Sequence, residues 1–516
     1  MILSIDCGTQ SIRAILFSLK GDIVDKEQIF YEPYFSEKAG WAEQRAEVYW
    51  DNLCKATNIL KKRNPLDFDK VVGVGVTTLR NTMVNVDKEV NTLRPSMTWL
   101  DHRNAKNVYK PNFVLNRIFK VTGIISTLQK MERIGHCNWI RQNEPEIWKN
   151  TYKYIQISGY LNAKLTGEFV DSIASQVGYI PFDYKKQKWA NPKDLFEVSG
   201  KLFPVEKEKL SKLIKPGEKI GGLTQKASDL TGIAVGTPVI ACGSDKSCET
   251  LGMGVMDTSM ASLSFGTIAT VQTTTSNYIE PKRFFPAYTS LIPGQWNPEM
   301  EIFRGFWMVS WFKKEFAYKE VQEAAQKKIP AEEVLNELLH KSPPGAMGLI
   351  VQPYWSPGLN EEHAKGAMIG FGDVHKKEHI YRAVIEGLVY GMLDGLQRLE
   401  KRGKLKFEKL AVSGGASQSN EICQIAADVF NMPIVRGKTY ETSGLGAAIV
   451  TAFGINEFSS LDEAVENMVV YTDTFHPKPE NARLYKALYK EVYLKMYKNL
   501  EPLYKRIREI TNYPEV

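Results

Sequence analysis

The chain has 516 residues and a formal net charge of +7, from 66 Lys and Arg against 59 Asp and Glu. A chain of this length is too long for one ordinary hydrophobic core. We therefore expect two domains, 1–250 and 251–516, with the boundary placed to within about ten residues. The small, interleaved charge argues against a nucleic-acid partner, and no window resembles a signal peptide or a membrane span. The six cysteines lack C-x-x-C spacing, which favours reduced thiols and a cytoplasmic location.

The N-terminus predicts a β-hairpin, because two apolar runs flank the turn Asp6-Cys7-Gly8-Thr9-Gln10-Ser11. Gly8 lets the backbone approach a ligand closely, and the hydroxyls of Thr9 and Ser11 can bind phosphate oxygens. Asp6 at the strand end can orient a hydrated magnesium ion. The alternative is an ordinary hairpin that happens to contain Gly-Thr.

A near-continuous apolar run, 71–76, predicts a strand buried on both faces, and a loop follows it at 77–82. Loops at the carboxyl ends of such strands often bind ligands, so Arg80 and Asn81 are candidate substrate residues. The alternative for Arg80 is a solvated loop arginine. Trp99 lies in the amphipathic segment 97–103, where a core tryptophan is the competing interpretation.

A second buried strand, 238–242, ends at Gly243-Ser244-Asp245-Lys246. A carboxylate at the end of a buried strand, next to glycine, makes Asp245 a candidate catalytic base. An N-cap role for Asp245 is the structural alternative, and the two roles are compatible.

The pattern of strand, Gly-Thr turn and strand returns at 260–271, with Gly266 and Thr267 in the turn. This repeat predicts two domains of one topology whose hairpins grip a polyphosphate from opposite sides, as in an actin-like nucleotide fold. A third turn, Gly414-Gly415-Ala416-Ser417, lies between a strand and a helix that starts near Asn420, which is typical of nucleotide-binding turns. The small residues of 441–448 predict a closely packed helix, and the tyrosines spaced by four from Tyr485 predict an aromatic packing stripe.

With these pieces in order, the chain resembles the FGGY family of carbohydrate kinases from Ile2 to about Gly454. The motifs that carry the resemblance are Asp6-Cys7-Gly8-Thr9-Gln10-Ser11-Ile12-Arg13-Ala14, Trp99-Leu100-Asp101-His102-Arg103, Leu165-Thr166-Gly167-Glu168, Gly243-Ser244-Asp245, Phe265-Gly266-Thr267, 379–387 and Gly414-Gly415-Ala416-Ser417-Gln418-Ser419-Asn420. The resemblance implies an α/β fold of two actin-like (ribonuclease H-like) ATPase domains. ATP and a sugar would then bind in the interdomain cleft.

The resemblance also implies a role for each matched residue. Asp245 is the general base, and Asp6 holds Mg²⁺ through water. The residues implied for ATP binding are Thr9, Ser11, Arg13, Gly266, Thr267, Gly414, Gly415, Ala416 and Asn420. The residues implied for substrate binding are Arg80, Asn81, Trp99, Asp245 and Lys246. Such a set suits phosphoryl transfer, which needs positioning and charge neutralisation more than covalent chemistry.

The substrate motifs depart from those of the known branches. Glycerol kinases carry an Arg-Glu pair and xylulose kinases a Met-His pair where this chain has Arg80-Asn81, and Lys246 replaces the common glutamine or asparagine. The sugar-side segment at 356–360 is also altered. We expect an ATP-dependent kinase of a ketose such as a pentulose, with a glycerol or other polyol kinase as the alternative. An actin-like nucleotide switch without sugar kinase activity is the alternative from another class, and a homodimer stays open.

Overall fold

A computed structural model describes residues 1–111, 113–194, 197–282, 285–302, 304–355 and 363–513. The strands of the first half are β1 (Ile2–Cys7), β2 (Ser11–Phe17), β3 (Ile23–Phe30), β4 (Glu43–Gln44), β5 (Gly73–Thr78), β6 (Met83–Val86), β7 (Ser96–Met97), β8 (Lys153–Gln156), β9 (Val170–Ser172), β10 (Phe182–Asp183), β11 (Lys188–Trp189), β12 (Lys212–Ile214), β13 (Lys219–Gly222) and β14 (Pro238–Ile240). Its helices are α1 (Ala46–Arg63), α2 (Pro65–Phe68), α3 (Phe113–Thr122), α4 (Ile125–Ile134), α5 (His136–Asn143), α6 (Pro145–Asn150), α7 (Ile157–Thr166), α8 (Ser199–Leu202), α9 (Gln225–Thr231) and α10 (Asp245–Gly252).

The second half begins with another long buried strand. Its strands are β15 (Met260–Phe265), β16 (Ala269–Gln272), β17 (Tyr288–Thr289), β18 (Trp296–Asn297), β19 (Glu299–Ile302), β20 (Ile350–Gln352), β21 (Ala367–Ile369), β22 (Lys409–Ser413), β23 (Ile434–Gly437) and β24 (Tyr471–Phe475). Its helices are α11 (Trp307–Phe316), α12 (Tyr318–Lys327), α13 (Ala331–Lys341), α14 (Lys377–Gly403), α15 (Asn420–Phe430), α16 (Thr442–Gly454), α17 (Leu461–Met468), α18 (Pro479–Leu488) and α19 (Leu494–Thr511).

The two halves share one sheet topology. The first sheet has the order β13-β14-β5-β1-β2-β3, and the second has the order β24-β23-β22-β15-β16-β19. In each sheet an antiparallel hairpin, β1–β2 or β15–β16, pairs in parallel with a later strand, β5 or β22. This correspondence confirms the α/β fold with two actin-like halves that the repeated hairpin predicts.

Alternation along β1 divides its side chains between two cores. Leu3, Ile5 and Cys7 belong to a core shared with α1 and α7. Ile2, on the opposite face, belongs to a core shared with α10, α16 and α17. Asp6 lies on that second face because successive residues of a strand point to opposite sides.

Helices α10 and α16 cross at close range because glycines stand at their contact. A Cβ at Gly252 would overlap the carbonyl oxygen of Thr442, and a Cβ at Gly446 would overlap the carbonyl oxygen of Cys248. The close packing expected for the small-residue helix is therefore confirmed. The tyrosine stripe is confirmed as packing too, because Tyr489 and Tyr493 are buried and stack on each other, with ring centroids 5.9 Å apart.

The six cysteines are all free. Across the described ranges, no helix is both long enough and apolar enough to span a bilayer.

We predict that Gly446→Ala lowers the midpoint of thermal unfolding by several degrees. Overpacking in a close-packed interior costs about 1–3 kcal/mol, which outweighs the gain of about 1 kcal/mol in helix propensity. Gly372→Ala is the control, since the nearest atom to its added Cβ is 3.8 Å away. Equal midpoints for the two variants would contradict the proposed closeness of α10 and α16.

Candidate active site

The turn between β1 and β2 is held by one hydrogen bond of its own and by hydrogen bonds from other parts of the first half. The Gly8 amide donates to the Ser11 carbonyl at 2.9 Å, and the Tyr31 hydroxyl donates to the Gly8 carbonyl at 2.6 Å. Trp99 Nε1 donates to Thr9 Oγ1 at 3.0 Å, so Trp99 lies against the predicted phosphate turn. Ser11 Oγ accepts from Gln28 Nε2 at 2.9 Å. Both hydroxyls keep their own proton for a further acceptor.

Asp6 lies at the start of a short chain of alternating charges. Its Oδ2 accepts from Arg13 Nη1 at 3.0 Å, and Arg13 Nε lies 3.4 Å from Glu441 Oε2, which precedes α16. Lys26 Nζ lies 2.6 Å from the other Glu441 oxygen. Burial, with repulsion from Glu441 and Asp245, raises the pKa of Asp6 to about 6, although Arg13 opposes the shift. The sequence motifs did not indicate Glu441 as part of this region.

The donor set around Asp6 fits a hydrated magnesium ion rather than a protein cage. Within the described residues, no three His, Cys, Asp or Glu side chains converge on a metal position. Mg²⁺ is commonly held by one or two carboxylates together with water and substrate phosphates. A single carboxylate destabilised by burial and like charges is compatible with that arrangement, because a cation would relieve both effects.

Asp245 is the first residue of α10, directly after the turn that ends β14. Ser244 caps the helix, its Oγ accepting from the Ser247 amide at 3.4 Å. The N-cap role proposed as an alternative for Asp245 thus belongs to Ser244. Asp245 Oδ1 accepts from the Lys246 amide at 2.8 Å, and its side chain remains 31% exposed. Burial raises the pKa of Asp245, while Arg80 and Lys246 oppose that shift.

Arg80 reaches from the first half to the second and contacts three carboxylates. Its Nη1 donates to Glu299 Oε1 at 2.8 Å, its Nη2 donates to Glu301 Oε1 at 3.1 Å, and its Nε lies 3.7 Å from Asp245 Oδ1. The ring of Tyr288 lies 5.4 Å from its guanidinium carbon. We call Arg80, Asp245, Glu299 and Glu301 the Arg80 cluster. Its guanidinium is thereby neutralised within the protein.

Sequence reasoning missed Glu299 and Glu301. They are two residues apart on β19, so they lie on one face of that strand, and this spacing is the only sequence feature that marks them. Protonation of either carboxyl affects the other. Burial raises the pKa of Glu299, which is the less exposed of the two.

Asn81 holds a neighbouring loop rather than extending the charged cluster. Its backbone adopts a positive φ of 51°, and its amide donates to the Val177 carbonyl at 3.1 Å. Its side-chain oxygen accepts from the Tyr179 amide at 3.1 Å. Tyr179 lines a cavity of about 180 Å³ whose walls also include Tyr288, Glu299 and Glu301. Asn81 therefore positions one wall of a cavity beside the Arg80 cluster.

Lys246 and Glu249 link Asp245 to the turns of the second half. Lys246 Nζ donates to Glu249 Oε2 at 2.5 Å and to Ser264 Oγ at 2.9 Å. Glu249 Oε1 accepts from Ser264 Oγ at 2.7 Å and from Ser413 Oγ at 2.5 Å. Ser264 lies two residues before Gly266, and Ser413 lies directly before Gly414. The sequence analysis did not indicate Glu249, although its i,i+3 spacing from Lys246 on one helix is a feature that could have marked the pair.

The predicted ATP residues of the second half lie close together. Gly414 has a φ of 86°, and a Cβ there would lie 2.8 Å from the Phe265 carbonyl carbon, so the third turn packs on the second hairpin. Gly415 faces open space, Ala416 is half-buried, and Thr267 is exposed.

Arg436 holds the third turn against the start of α15. Asn420 Oδ1 accepts from Arg436 Nη2 at 2.8 Å, and Arg436 also donates to carbonyls of Ser417 and Gln418. Arg436 was not anticipated. The altered segment 356–360 lies outside the described residues.

The paired sheets with their corresponding hairpins define a two-domain fold of the actin-like class. The first half matches the N-terminal domain of the FGGY family of carbohydrate kinases at residues 1–252, and the second half matches the C-terminal domain of that family at residues 261–455. The chain belongs to this family and is an ATP-dependent carbohydrate kinase.

Curated relatives extend over the full length of the chain. An uncharacterised sugar kinase of Escherichia coli (strain K12), YgcE, is 28% identical over 510 residues, which are 99% of this chain and 96% of the relative. A xylulose kinase of Lactococcus lactis subsp. lactis is 26% identical and covers 99% of both chains. A gluconokinase of Bacillus subtilis is also 26% identical and covers 98% of both.

Solved structures share the fold. The ligand-bound xylulose kinase from Lactobacillus acidophilus superposes with a TM-score of 0.81 at 20% identity, over 98% of this chain and 99% of that one. The gluconate kinase from the same species superposes with a TM-score of 0.80 at 20% identity, over the same shares.

We predict that Arg80→Ala lowers stability at pH 7 by about 3–5 kcal/mol, because it leaves the buried Glu299 and the half-buried Glu301 without their cation. The loss should shrink as the pH falls from 7 to 5. Without Arg80 the folded-state pKa values of the two carboxyls rise, so the folded state then binds protons that the unfolded state does not.

The measurement is the difference in unfolding midpoint between wild type and variant across this pH range. Arg63→Ala is a matched control, because Arg63 also contacts two carboxylates, Asp25 and Glu27, but is 46% exposed. Exposed pairs contribute only about 0–1 kcal/mol. An Arg80→Ala loss as small as the control, or one that grows on acidification, would contradict the neutralisation of Arg80 within the cluster.

Proposed function

We propose that the protein transfers the γ-phosphate of ATP to a hydroxyl of a neutral ketose, with a pentulose as the preferred class. The observation that carries the proposal is the position of Asp245. It lies at the start of α10, partly exposed, with Arg80 at 3.7 Å on one side and Lys246 next to it in the chain. The hydroxyl-bearing turns around Thr9 and Thr267 and the glycine turn at Gly414 supply the groups that phosphates and adenosine need.

In the proposed reaction, one Asp245 carboxylate oxygen accepts the proton of the attacking sugar hydroxyl. That hydroxyl oxygen forms a bond to the γ-phosphorus, while the bond from phosphorus to the bridging oxygen of ADP breaks. Its raised pKa makes Asp245 a stronger base than an exposed aspartate. Arg80 and Lys246 keep it ionised and hold its position.

We further propose that Asp6 holds Mg²⁺ through water, with Thr9, Ser11 and Arg13 beside the phosphates. When bound, the ion neutralises charge that develops on the phosphate oxygens. Arg13 has a second task in this arrangement, because its contact with Asp6 keeps that carboxylate oriented.

The charges near Asp245 favour a neutral acceptor over a sugar acid. Arg80 contacts Glu299 and Glu301, and Lys246 contacts Glu249. A gluconate carboxylate would have to compete with these carboxylates for a cation, and it would meet the two glutamates at close range. Hydroxyl groups can instead donate to the same carboxylate oxygens. Relatives include both xylulose kinases and gluconokinases. The charges near Asp245 therefore help to decide between a neutral ketose and a sugar acid as the acceptor.

The test is an ADP-release assay with ATP, Mg²⁺ and a panel of pentuloses, hexuloses, glycerol, tetritols and D-gluconate. We expect the highest kcat/KM with a pentulose and a value at least tenfold lower with D-gluconate. A clear preference for D-gluconate would overturn the neutral-acceptor proposal, and a preference for glycerol would favour the polyol alternative. No turnover with any sugar, together with ATP-dependent assembly, would favour the actin-like switch.

We predict that Asp245→Asn lowers kcat by about a hundredfold or more, since general-base assistance contributes at least that much. Affinity for ATP, measured by calorimetry without sugar, should change less than about threefold, because the nucleotide turns lie on other elements. Asp67→Asn is the control, as Asp67 contributes only an exposed pair with Lys70. A kcat equal to wild type would remove Asp245 from the role of base.

A further inference from the structure

Lys246 occupies a position that is electrostatically unfavourable for a purely structural lysine. It is the second residue of α10, where the partial positive charge of the helix N-terminus disfavours a cation. Its side chain is also only 16% exposed, so its ammonium has lost most of its water. Both the helix N-terminus and the burial disfavour a lysine here. Its presence beside the candidate active site therefore suggests a functional reason.

Glu249 compensates for both costs and aims the ammonium. It contacts Lys246 Nζ at 2.5 Å from the next turn of the same helix, and its other oxygen accepts from Ser264 and Ser413. Burial lowers the pKa of Lys246, but Glu249 and Asp245 raise it by more, so the ammonium stays charged. Glu249 is thus a positioning residue tied to both turns of the second half.

The contact with Ser264 gives the direction in which the ammonium points. Ser264 Oγ accepts from Lys246 Nζ at 2.9 Å, at the end of β15 and next to the Phe265-Gly266-Thr267 turn. The ammonium therefore reaches the hairpin proposed to hold the phosphates, while the backbone amide of the same residue donates to Asp245, where the sugar hydroxyl is proposed to lose its proton. An ammonium has three N–H donors, and these two contacts use two of them.

We propose that Lys246 is a catalytic residue that donates its third N–H to an oxygen of the γ-phosphoryl group as that group passes from ADP to the sugar. This inference rests on the proposed function and replaces the substrate-binding role predicted for Lys246 with a role in transition-state stabilisation. Lys246 stays protonated throughout, since the hydroxyl proton goes to Asp245 and the electron pair of the broken bond goes to the bridging oxygen of ADP. Its charge offsets the negative charge on the equatorial oxygens of the phosphoryl group.

The test compares Lys246→Met, Lys246→Arg and Lys246→Gln with wild type on the sugar that wild type uses best. We expect Lys246→Met to lower kcat by about a hundredfold to a thousandfold, with the KM for sugar changed less than threefold, because a donor used only in the transition state is lost. Lys246→Arg should recover part of kcat, whereas Lys246→Gln should not. Lys327→Met is the matched control, since Lys327 also pairs with a glutamate on its own helix but is 51% exposed.

A second readout does not depend on turnover. Binding of ADP and Mg²⁺ is measured with and without fluoroaluminate, which mimics the transferring phosphoryl group. We expect Lys246→Met to bind ADP like wild type but to lose about a hundredfold of the additional affinity that fluoroaluminate provides. A retained gain would overturn the inference.

Two kinetic results would also overturn it while leaving the proposed function intact. One is a raised KM for sugar with kcat unchanged in Lys246→Met, which would assign Lys246 to sugar binding. The other is Lys246→Gln activity equal to that of wild type, which would show that the charge is unnecessary. A wild type that turns over no sugar would instead overturn the proposed function, and this inference with it.

Discussion

The backbone contact between α10 and α16 is the constraint on which the rest of the site depends. Helix α10 follows β14 of the first sheet, and its Glu249 contacts Ser413 of the second sheet. Helix α16 follows β23 of the second sheet and packs in the core that contains Ile2 of the first sheet. Gly252 and Gly446 allow the two helices to approach until a methyl group would overlap the opposite backbone. Because α10 begins at Asp245 and α16 follows Glu441, this single crossing brings the proposed base and the charge chain of Asp6 towards one region between the sheets.

Charge within that region is balanced by pairs that cross between the halves of the chain. Arg80 from the first half contacts Glu299 and Glu301 from the second, and Glu249 at the end of the first half contacts Ser264 and Ser413 of the second. Such buried groups are costly alone and tolerable only when partnered. The pairs therefore set the relative position of the halves as well as the field that a substrate meets. Arg80 alone would suggest a binding site for an acidic substrate, but Glu299 and Glu301 already neutralise its charge.

The same topology has been adapted differently in its two hairpins. Asp6 and Ser264 occupy equivalent positions, each two residues before the turn glycine of its hairpin. Asp6 keeps a carboxylate that contacts Arg13, which suits a metal-bearing position, whereas Ser264 has a hydroxyl that accepts from Lys246 and donates to Glu249. The first position thus has a carboxylate paired with an arginine, and the second has a hydroxyl that contacts the ammonium of Lys246. The two halves therefore share a strand order but differ in the chemistry at corresponding positions.

Much of this protein could be predicted from sequence because the decisive features are local. Short buried strands with glycine turns follow from residue order alone, so the duplicated α/β fold, the three turns and Asp245 at a strand end were all evident before any coordinates. The contacts of Arg80 were not, because Glu299 and Glu301 lie more than two hundred residues away and carry no motif. Asn81 stays a predicted substrate residue, and the contact of its side chain with the loop at Tyr179 was likewise not evident from local pattern. Local pattern determined which elements form and where turns expose backbone amides. Only the tertiary structure decided which charged side chains pair. Electrostatic partners depend on distance in space and on burial, and the local sequence specifies neither.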